Sequence, residues 1–270
     1  MTSSEKNINH NKELREMLIL RYEPIAIRMI KNEEDVPENA LNPMRDLKKH
    51  MALCQAFGLA RRDGKTIYMD KYSEWCWNPL IAFGFVECTE GTESFDVVCK
   101  HLGIGDADAA KKFFAKFPRL PQNKYKGILV MPLSACTAEP DVVLIYCNNA
   151  QLRHLAWAVK NVTGKTISTQ IDAIDSCAYS CVVPMNTGEY RITLPDVGEF
   201  ERAAADENEI ILSVPGARME ELMTGLRPFS QRGKGYKNLE KSMEFEFARP
   251  VFYNDLFRHW DLAQGEVWKR

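Results

Sequence analysis

The sequence predicts an α/β fold: a single compact domain with a mixed, partly parallel sheet flanked by helices, followed by an aromatic-rich C-terminal tail. The chain has 270 residues, enough to bury one large core. Residues 127–133 and 141–146 are short continuous apolar runs, which are typical of strands covered on both faces. The second run leads directly into a helical pattern, as in a strand–helix unit.

In the first half of the chain, segments with the helical spacing of apolar residues alternate with segments typical of strands. Residues 1–10 are polar and are expected to be disordered. Helical spacing, ended by glycine or proline, marks the helices, whereas β-branched residues mark the strands. The predicted helices of this half lie at 14–21, 46–59, just before Gly84 and at 106–117. The predicted strands lie at 25–30 and 66–69.

The second half repeats the strand–helix order. After the strands at 127–133 and 141–146, an apolar stripe predicts a helix over 150–162 that ends at Gly164. Further strands are predicted at 189–194 and 209–214, and a second stripe predicts a helix over 219–226. No internal repeat interrupts this order.

Two regions follow from composition. Residues 1–226 form the predicted cysteine-bearing α/β domain. Residues 227–270 begin with a loop containing Gly and Lys and continue with a segment dense in aromatic residues. They are predicted to be an extension packed on this domain or on a second subunit of a homo-oligomer. The aromatic residues of this segment include Phe245, Phe247, Phe252, Tyr253, Phe257 and Trp260.

The net charge and the hydropathy pattern limit the classes of partner that the protein is expected to bind. The formal net charge is −2 and the sequence pI is about 6.3, which argues against binding to nucleic acid or an anionic membrane. No apolar run approaches the roughly 20 residues of a membrane span, and the N-terminus has no leader pattern. We therefore expect a cytoplasmic protein whose partners are a small-molecule substrate and a redox partner protein.

Eight cysteines in a reducing compartment are expected to be core thiols, reactive thiols or metal ligands rather than disulfides. Their local spacing forms neither a zinc ribbon nor a ferredoxin run. Four of them fit a structural role: Cys88, Cys99, Cys136 and Cys147. Cys177 and Cys181 form a C-x3-C pair that could share one helical face or one metal.

The other motifs and residue groups give weaker evidence for a functional site than the cysteines do. The sequence contains no HExxH, GxGxxG, P-loop or GxSxG motif. His50 precedes Cys54 by four residues and would share its helical face. Arg61-Arg62 and Lys111-Lys112 could attract an anionic substrate, although such pairs are usually solvated. Trp75 and Trp77 flank Cys76 and could shape an aromatic pocket or simply pack in the core.

The chain resembles the family known as domain of unknown function one-six-nine, which is frequent in anaerobes. The matching features run from about Leu14 to Leu226 and include Cys54-Gln-Ala, Pro140-Asp-Val-Val and Cys177 followed by Pro184. The resemblance implies that Cys54, Cys76 and Cys177 are ligands of one shared site. This chain departs from the family pattern at Asp196, which takes the place of a further cysteine, and it lacks the arginine of the Gly-x-Arg that follows.

Soft thiolates suit both iron–sulfur clusters and zinc, and for this set we expect an iron–sulfur cluster, 4Fe–4S, rather than zinc. The fourth position is left open between Asp196, Cys181, a water and a substrate. Three thiolate ligands would leave one iron open, so the sequence predicts an oxygen-sensitive oxidoreductase or lyase of anaerobic metabolism that acts on a small organic substrate. The alternatives are a non-enzymatic metal-, cluster- or tetrapyrrole-binding accessory or electron-transfer protein, and a plain small-molecule binder with structural thiols.

Overall fold

The structure is a computed structural model that describes residues 2–238 and 250–260. The helices of these residues are α1 (Ser3–Leu18), α2 (Leu53–Asp63), α3 (Trp77–Ala82), α4 (Glu93–His101), α5 (Ala107–Ala115), α6 (Asn149–Thr163), α7 (Val183–Thr187), α8 (Val197–Ala203), α9 (Met219–Gln231) and α10 (Phe252–His259). The strands are β1 (Ile25–Ile30), β2 (Ile67–Asp70), β3 (Gly127–Pro132), β4 (Val142–Cys147), β5 (Arg191–Thr193) and β6 (Ile210–Pro215).

The six strands form one sheet in the order β2-β3-β1-β4-β6-β5, and every neighbouring pair is antiparallel. The α/β class is therefore confirmed, but the predicted partly parallel pairing is wrong. Strands β4 and β5, which α6 connects, do run in the same direction, yet β6 lies between them and is antiparallel to both. The continuous apolar runs reflect burial on both faces, not parallel pairing.

Helices cover both faces of the sheet. One core contains Leu14 of α1, Leu155 of α6 and Leu222 of α9. The other contains Phe57 of α2 and Phe114 of α5, together with Cys177 and Cys181. Alternate residues of each central strand point to opposite cores, as in β4, where Val143 and Leu144 lie on different sides. The architecture is thus three layers, α/β/α.

The predicted strands are all present, and the predicted helices differ mainly at their ends, but α4, α7, α8 and α10 were not predicted. Helix α1 begins at Ser3, so the predicted disorder of residues 1–10 is wrong. Thr2 and Glu5 form a capping box there, which satisfies free N–H groups at the helix start. The predicted helix at 46–59 is instead a short π-helical turn, Pro43–Leu47, followed by α2. His50 therefore lies outside α2 and does not share a helical face with Cys54.

Residues 1–238 form one compact unit and residues 239–270 form a second. The predicted boundary at residue 226 falls inside α9, because the apolar stripe of that helix continues through Phe229. In the second unit, the described residues form the aromatic-rich α10, whereas Phe245 and Phe247 lie outside the described residues. None of the helices in the described residues is long and apolar enough to cross a bilayer.

Candidate functional site

Three of the eight cysteines line one cavity. Cys54, Cys76 and Cys177 come from distant segments of the chain, and all three border a cavity of about 170 Å³. An engineered cavity of about 150 Å³ is known to take up benzene, so this one has room for a small ligand. The cavity also contains Asp196, the predicted candidate for a fourth ligand.

Local structure places each thiol at the beginning of a helix. Cys54 is the second residue of α2, whose start is fixed by a hydrogen bond from the Ala52 amide to the Gln55 side chain, 2.9 Å long. Cys76 is the residue before α3, and its amide donates to Glu74 Oε1 at 2.8 Å. Cys177 immediately precedes a π-helical turn, Ala178–Val182.

Burial keeps these thiols protonated in the free protein. It raises the pKa of Cys54 to about 12, and the Glu199 and Asp196 carboxyls act in the same direction. Burial also raises the pKa of Cys76 and places that of Cys177 well above its ordinary value. Because the metal ligand is the thiolate, any metal bound here would have to displace protons.

Asn78 joins Cys177 to a second buried group. The Cys177 thiol donates to Asn78 Oδ1 at 3.1 Å, and Asn78 Nδ2 donates to Asp175 Oδ1 at 2.5 Å. Burial raises the pKa of Asp175 to about 7, which the Asn78 hydrogen bond partly opposes. A thiol, an amide and a carboxyl therefore form one hydrogen-bonded wall of the cavity.

The two candidates for the fourth position differ in placement. Asp196 caps the start of α8: its carboxylate accepts hydrogen bonds from the Glu199 amide at 2.9 Å and from the Ser176 hydroxyl at 2.9 Å. Cys181 is fully buried and, among the described residues, is not part of the cavity lining. A π-helical turn is wider than an α-helical one, so the C-x3-C pair does not present both sulfurs to the cavity.

A buried polar chain leads away from Asp196. The Ser176 hydroxyl lies 2.6 Å from Glu199 Oε1, and the Tyr146 hydroxyl donates to Glu199 Oε2 at 2.7 Å. The guanidinium of Arg61 lies 4.1 Å from the ring centre of Tyr146 and pairs with Glu209 at 2.6 Å. Burial raises the pKa of Glu199 to about 7. These contacts connect the cavity to the interior of the sheet.

Sequence reasoning missed several residues of the site. Asn78, Asp175 and Arg202 all line the cavity. The signal available for Asn78 was its position two residues after Cys76, and for Arg202 its position one helical turn after Gly198. In the described parts of the chain, no three His, Cys, Asp or Glu side chains lie close enough together to coordinate a single metal ion directly.

The remaining sequence candidates lie elsewhere. The structural role predicted for Cys88, Cys99, Cys136 and Cys147 agrees with their burial in the two cores. Arg61 is buried against Glu209, and Lys111 pairs with Asp96 at 3.3 Å. Trp77 borders the cavity, whereas Trp75 is exposed and lies 5.2 Å from the His50 ring, centre to centre.

A model of a protein family matches most of this chain. The model of DUF169, described as an uncharacterised ArCR family, matches residues 13–225. The chain belongs to the DUF169 family. This match covers the whole cavity, and it confirms the family resemblance seen in the sequence.

One curated relative is the uncharacterized protein MJ0308 of Methanocaldococcus jannaschii. It is 22% identical to this chain over 222 residues, which covers 82% of this chain and 93% of that protein. No solved structure matches the chain.

Proposed function

We propose that this DUF169 protein holds an iron–sulfur cluster through Cys54, Cys76 and Cys177. The observation that supports the proposal is the convergence on one cavity of three thiols from separate elements, one of which, Cys177, lies about a hundred residues after the other two. Soft thiolates of this kind select iron–sulfur clusters and zinc. A cluster of several irons spreads its thiolates more widely than a single zinc ion, which holds each sulfur at about 2.3 Å.

The same cavity is the proposed binding place for a small organic substrate. A cluster with three thiolate ligands supplies electrons or an open iron that acts as a Lewis acid. The activity proposed is therefore a lyase-type step, or a reduction with electrons delivered by a redox partner protein. In the cluster-free protein the Cys177 thiol donates to Asn78, and burial raises the pKa values of Asp175 and Glu199 to about 7, where each can gain or lose a proton near neutral pH.

A cytoplasmic location belongs to the same proposal. All eight cysteines are free thiols, which suits a reducing compartment. Oxygen would compete for a cluster beside an open cavity, so we expect the protein to be active only under anaerobic conditions.

The test is the iron and acid-labile sulfide content of protein purified without oxygen. We expect both elements and a broad visible absorbance that bleaches on reduction. Single replacements of Cys54, Cys76 and Cys177 by Ala should each remove most of the iron. Cys136→Ala is the matched control, because that buried thiol lies in the opposite core.

Colourless wild-type protein without iron would refute the cluster. The proposal would also be refuted if Cys136→Ala lost as much iron as the three ligand variants. Iron binding would then depend on the general stability of the protein rather than on the three thiols. Circular dichroism of each variant separates loss of a ligand from loss of the fold.

The second candidate function is that of an electron-transfer or cofactor-delivering accessory protein. The observation that favours it is the apolar opening of the cavity, where Trp77, Ile174 and Val197 line the cavity and are exposed. Electron exchange with a redox partner in the absence of any organic substrate, without turnover of a substrate panel, would support this candidate over the enzyme.

A further inference from the structure

Arg202 brings a positive charge to the cavity. It lies near the end of α8 and lines the cavity together with the three cysteines. Several other arginines pair with acidic side chains, as Arg61 does with Glu209 and Arg227 with Glu13. Arg202 is exposed. Arg202 forms no such ion pair within residues 2–238 and 250–260. Its positive charge lowers the pKa of both Cys54 and Cys76, although burial outweighs it.

Gly198 makes room for this guanidinium. A Cβ atom at residue 198 would lie 2.6 Å from Arg202 Nη2 and 3.2 Å from Nε. Both distances are tighter than ordinary contacts, so any side chain there would displace the guanidinium. The lack of a side chain at Gly198 therefore lets Arg202 lie against the backbone at the cavity wall.

The carboxyls of the cavity are already occupied. Both oxygens of Asp196 accept hydrogen bonds, from the Glu199 amide and from Ser176. Asp175 accepts from Asn78, and burial raises its pKa to about 7. Asp196 Oδ1 lies near the same Gly198 position, 3.1 Å from where a Cβ of residue 198 would be, but in the part of the chain that the structure describes it forms no ion pair with Arg202. The planar donors of Arg202 therefore remain able to match a carboxylate in two-point contact.

Apolar side chains surround the opening of the same cavity. Trp77, Ile174 and Val197 line it and are 38%, 55% and 60% exposed, respectively. An apolar group that covers them would be removed from water along with them. A ligand that satisfies both parts of the cavity has an anionic end and an apolar body.

We propose that Arg202 binds the carboxylate of a small organic acid whose apolar body packs against Trp77, Ile174 and Val197. As the substrate class of the site, this inference rests on the proposed function. The anion recognition itself depends only on Arg202 and Gly198. An inorganic oxyanion would share the charge of the carboxylate but not the apolar contacts.

The test is calorimetric binding of benzoate to the full-length chain, measured in both the iron-containing and the chelator-treated protein. Benzamide tests the charge, and sulfate tests an oxyanion without an apolar body. We expect benzoate to bind at least about tenfold more tightly than either, as a charge-assisted contact predicts. Arg202→Gln should remove this preference, and Arg202→Lys should restore it in part.

Two further variants complete the design. Gly198→Ala should also weaken benzoate binding, because it moves the guanidinium without removing its charge. Arg153→Gln, the same substitution at an exposed arginine of α6, should bind benzoate like the wild type.

Equal binding of benzoate and benzamide by the wild type, no binding of benzoate, or unchanged binding in Arg202→Gln would each overturn the inference. Stronger binding of sulfate than of benzoate would replace the organic acid with an inorganic oxyanion and would overturn it as well. If the purified protein never contains iron but still binds benzoate through Arg202, the proposed iron–sulfur cluster would be refuted. The proposed binding of a carboxylate by Arg202 would stand.

Discussion

Asn78 links the thiol of Cys177 to the carboxyl of Asp175, and all three side chains are buried. We expect Asn78→Ala to lower the free energy of unfolding by about 1–3 kcal/mol, because it leaves a buried carboxyl and a buried thiol without a partner. It should also raise the pKa of Asp175 further, since the lost hydrogen bond opposes the effect of burial. Urea unfolding at pH 7 measures the loss of stability.

Asn186→Ala is the control for that measurement, because Asn186 also bonds a distant backbone carbonyl but is exposed. A loss of stability no greater than in this control would contradict the assigned link.

Glu199 gives the fold a pH dependence. Ser176, Tyr146, Asp196 and Arg61 face it, and burial raises its pKa to about 7 from an ordinary 4.5. The folded state therefore holds this proton more tightly than the unfolded chain does. Its contribution to stability is complete below about pH 4.5 and is lost as pH rises through about 7.

We accordingly expect wild-type protein to lose more stability between pH 5 and pH 8 than Glu199→Gln does. The difference should be on the order of 2 kcal/mol, since one pKa unit corresponds to about 1.4 kcal/mol. Chemical unfolding at the two pH values measures it. Glu201→Gln, on the exposed side of the same helix, should behave like the wild type, and identical pH profiles for all three proteins would contradict the prediction.

The residues of the site differ in how far the sequence could reveal them. The three cysteines were indicated by family resemblance, because their chain spacing alone matches no known motif. Asp196 was visible only as a departure from the family pattern. Glu199 could not be found, because its role depends on a contact across the fold with Tyr146 of β4. Arg202 had only the local signal of its position one turn after Gly198 in α8, which does not reveal the cavity beside it.

At the scale of elements, the contact of α6 with α9 depends on Gly225. A Cβ atom at residue 225 would lie 2.1 Å from the backbone oxygen of Ala158, which is fixed in α6. Gly225→Ala should therefore lower the free energy of unfolding by about 1–3 kcal/mol, despite the better helix propensity of alanine. Urea unfolding of this variant beside the wild type is the measurement.

Gly105→Ala is the matched control, since a Cβ at residue 105 would meet nothing within 4 Å. Equal stability of the two variants would show that the close approach of α6 and α9 at Gly225 does not contribute to the free energy of unfolding.

Apolar periodicity predicted every strand, because burial on one or both faces determines which residue types a strand can use. It did not predict strand direction. The antiparallel sheet arises because β6 returns between β4 and β5, and β1 lies between β3 and β4. That choice of neighbours depends on how the whole sheet packs. The π-helical turn after Cys177 was equally invisible, since i, i+4 spacing looks the same in an α-helix.

For the molecule as a whole, the division after Asn238 predicts that residues 1–238 fold alone. A chain ending at residue 238 should unfold cooperatively with an unfolding midpoint close to that of the full chain, as followed by circular dichroism. A broad, non-cooperative transition would show that residues 239–270 are needed for the fold.

Light scattering of the same two chains tests the predicted homo-oligomer. If the C-terminal extension builds the oligomer, the shortened chain should be monomeric at concentrations where the full chain is not. Equal oligomeric states would place the contact within residues 1–238.

The walls of the cysteine cavity extend along the chain from Ala52 to Arg202. A nascent chain released only as far as α6 possesses two of the three thiols but no cavity around them. The binding place is therefore completed only once α8 has been synthesised. Insertion of the proposed cluster would accordingly have to follow the synthesis of α8.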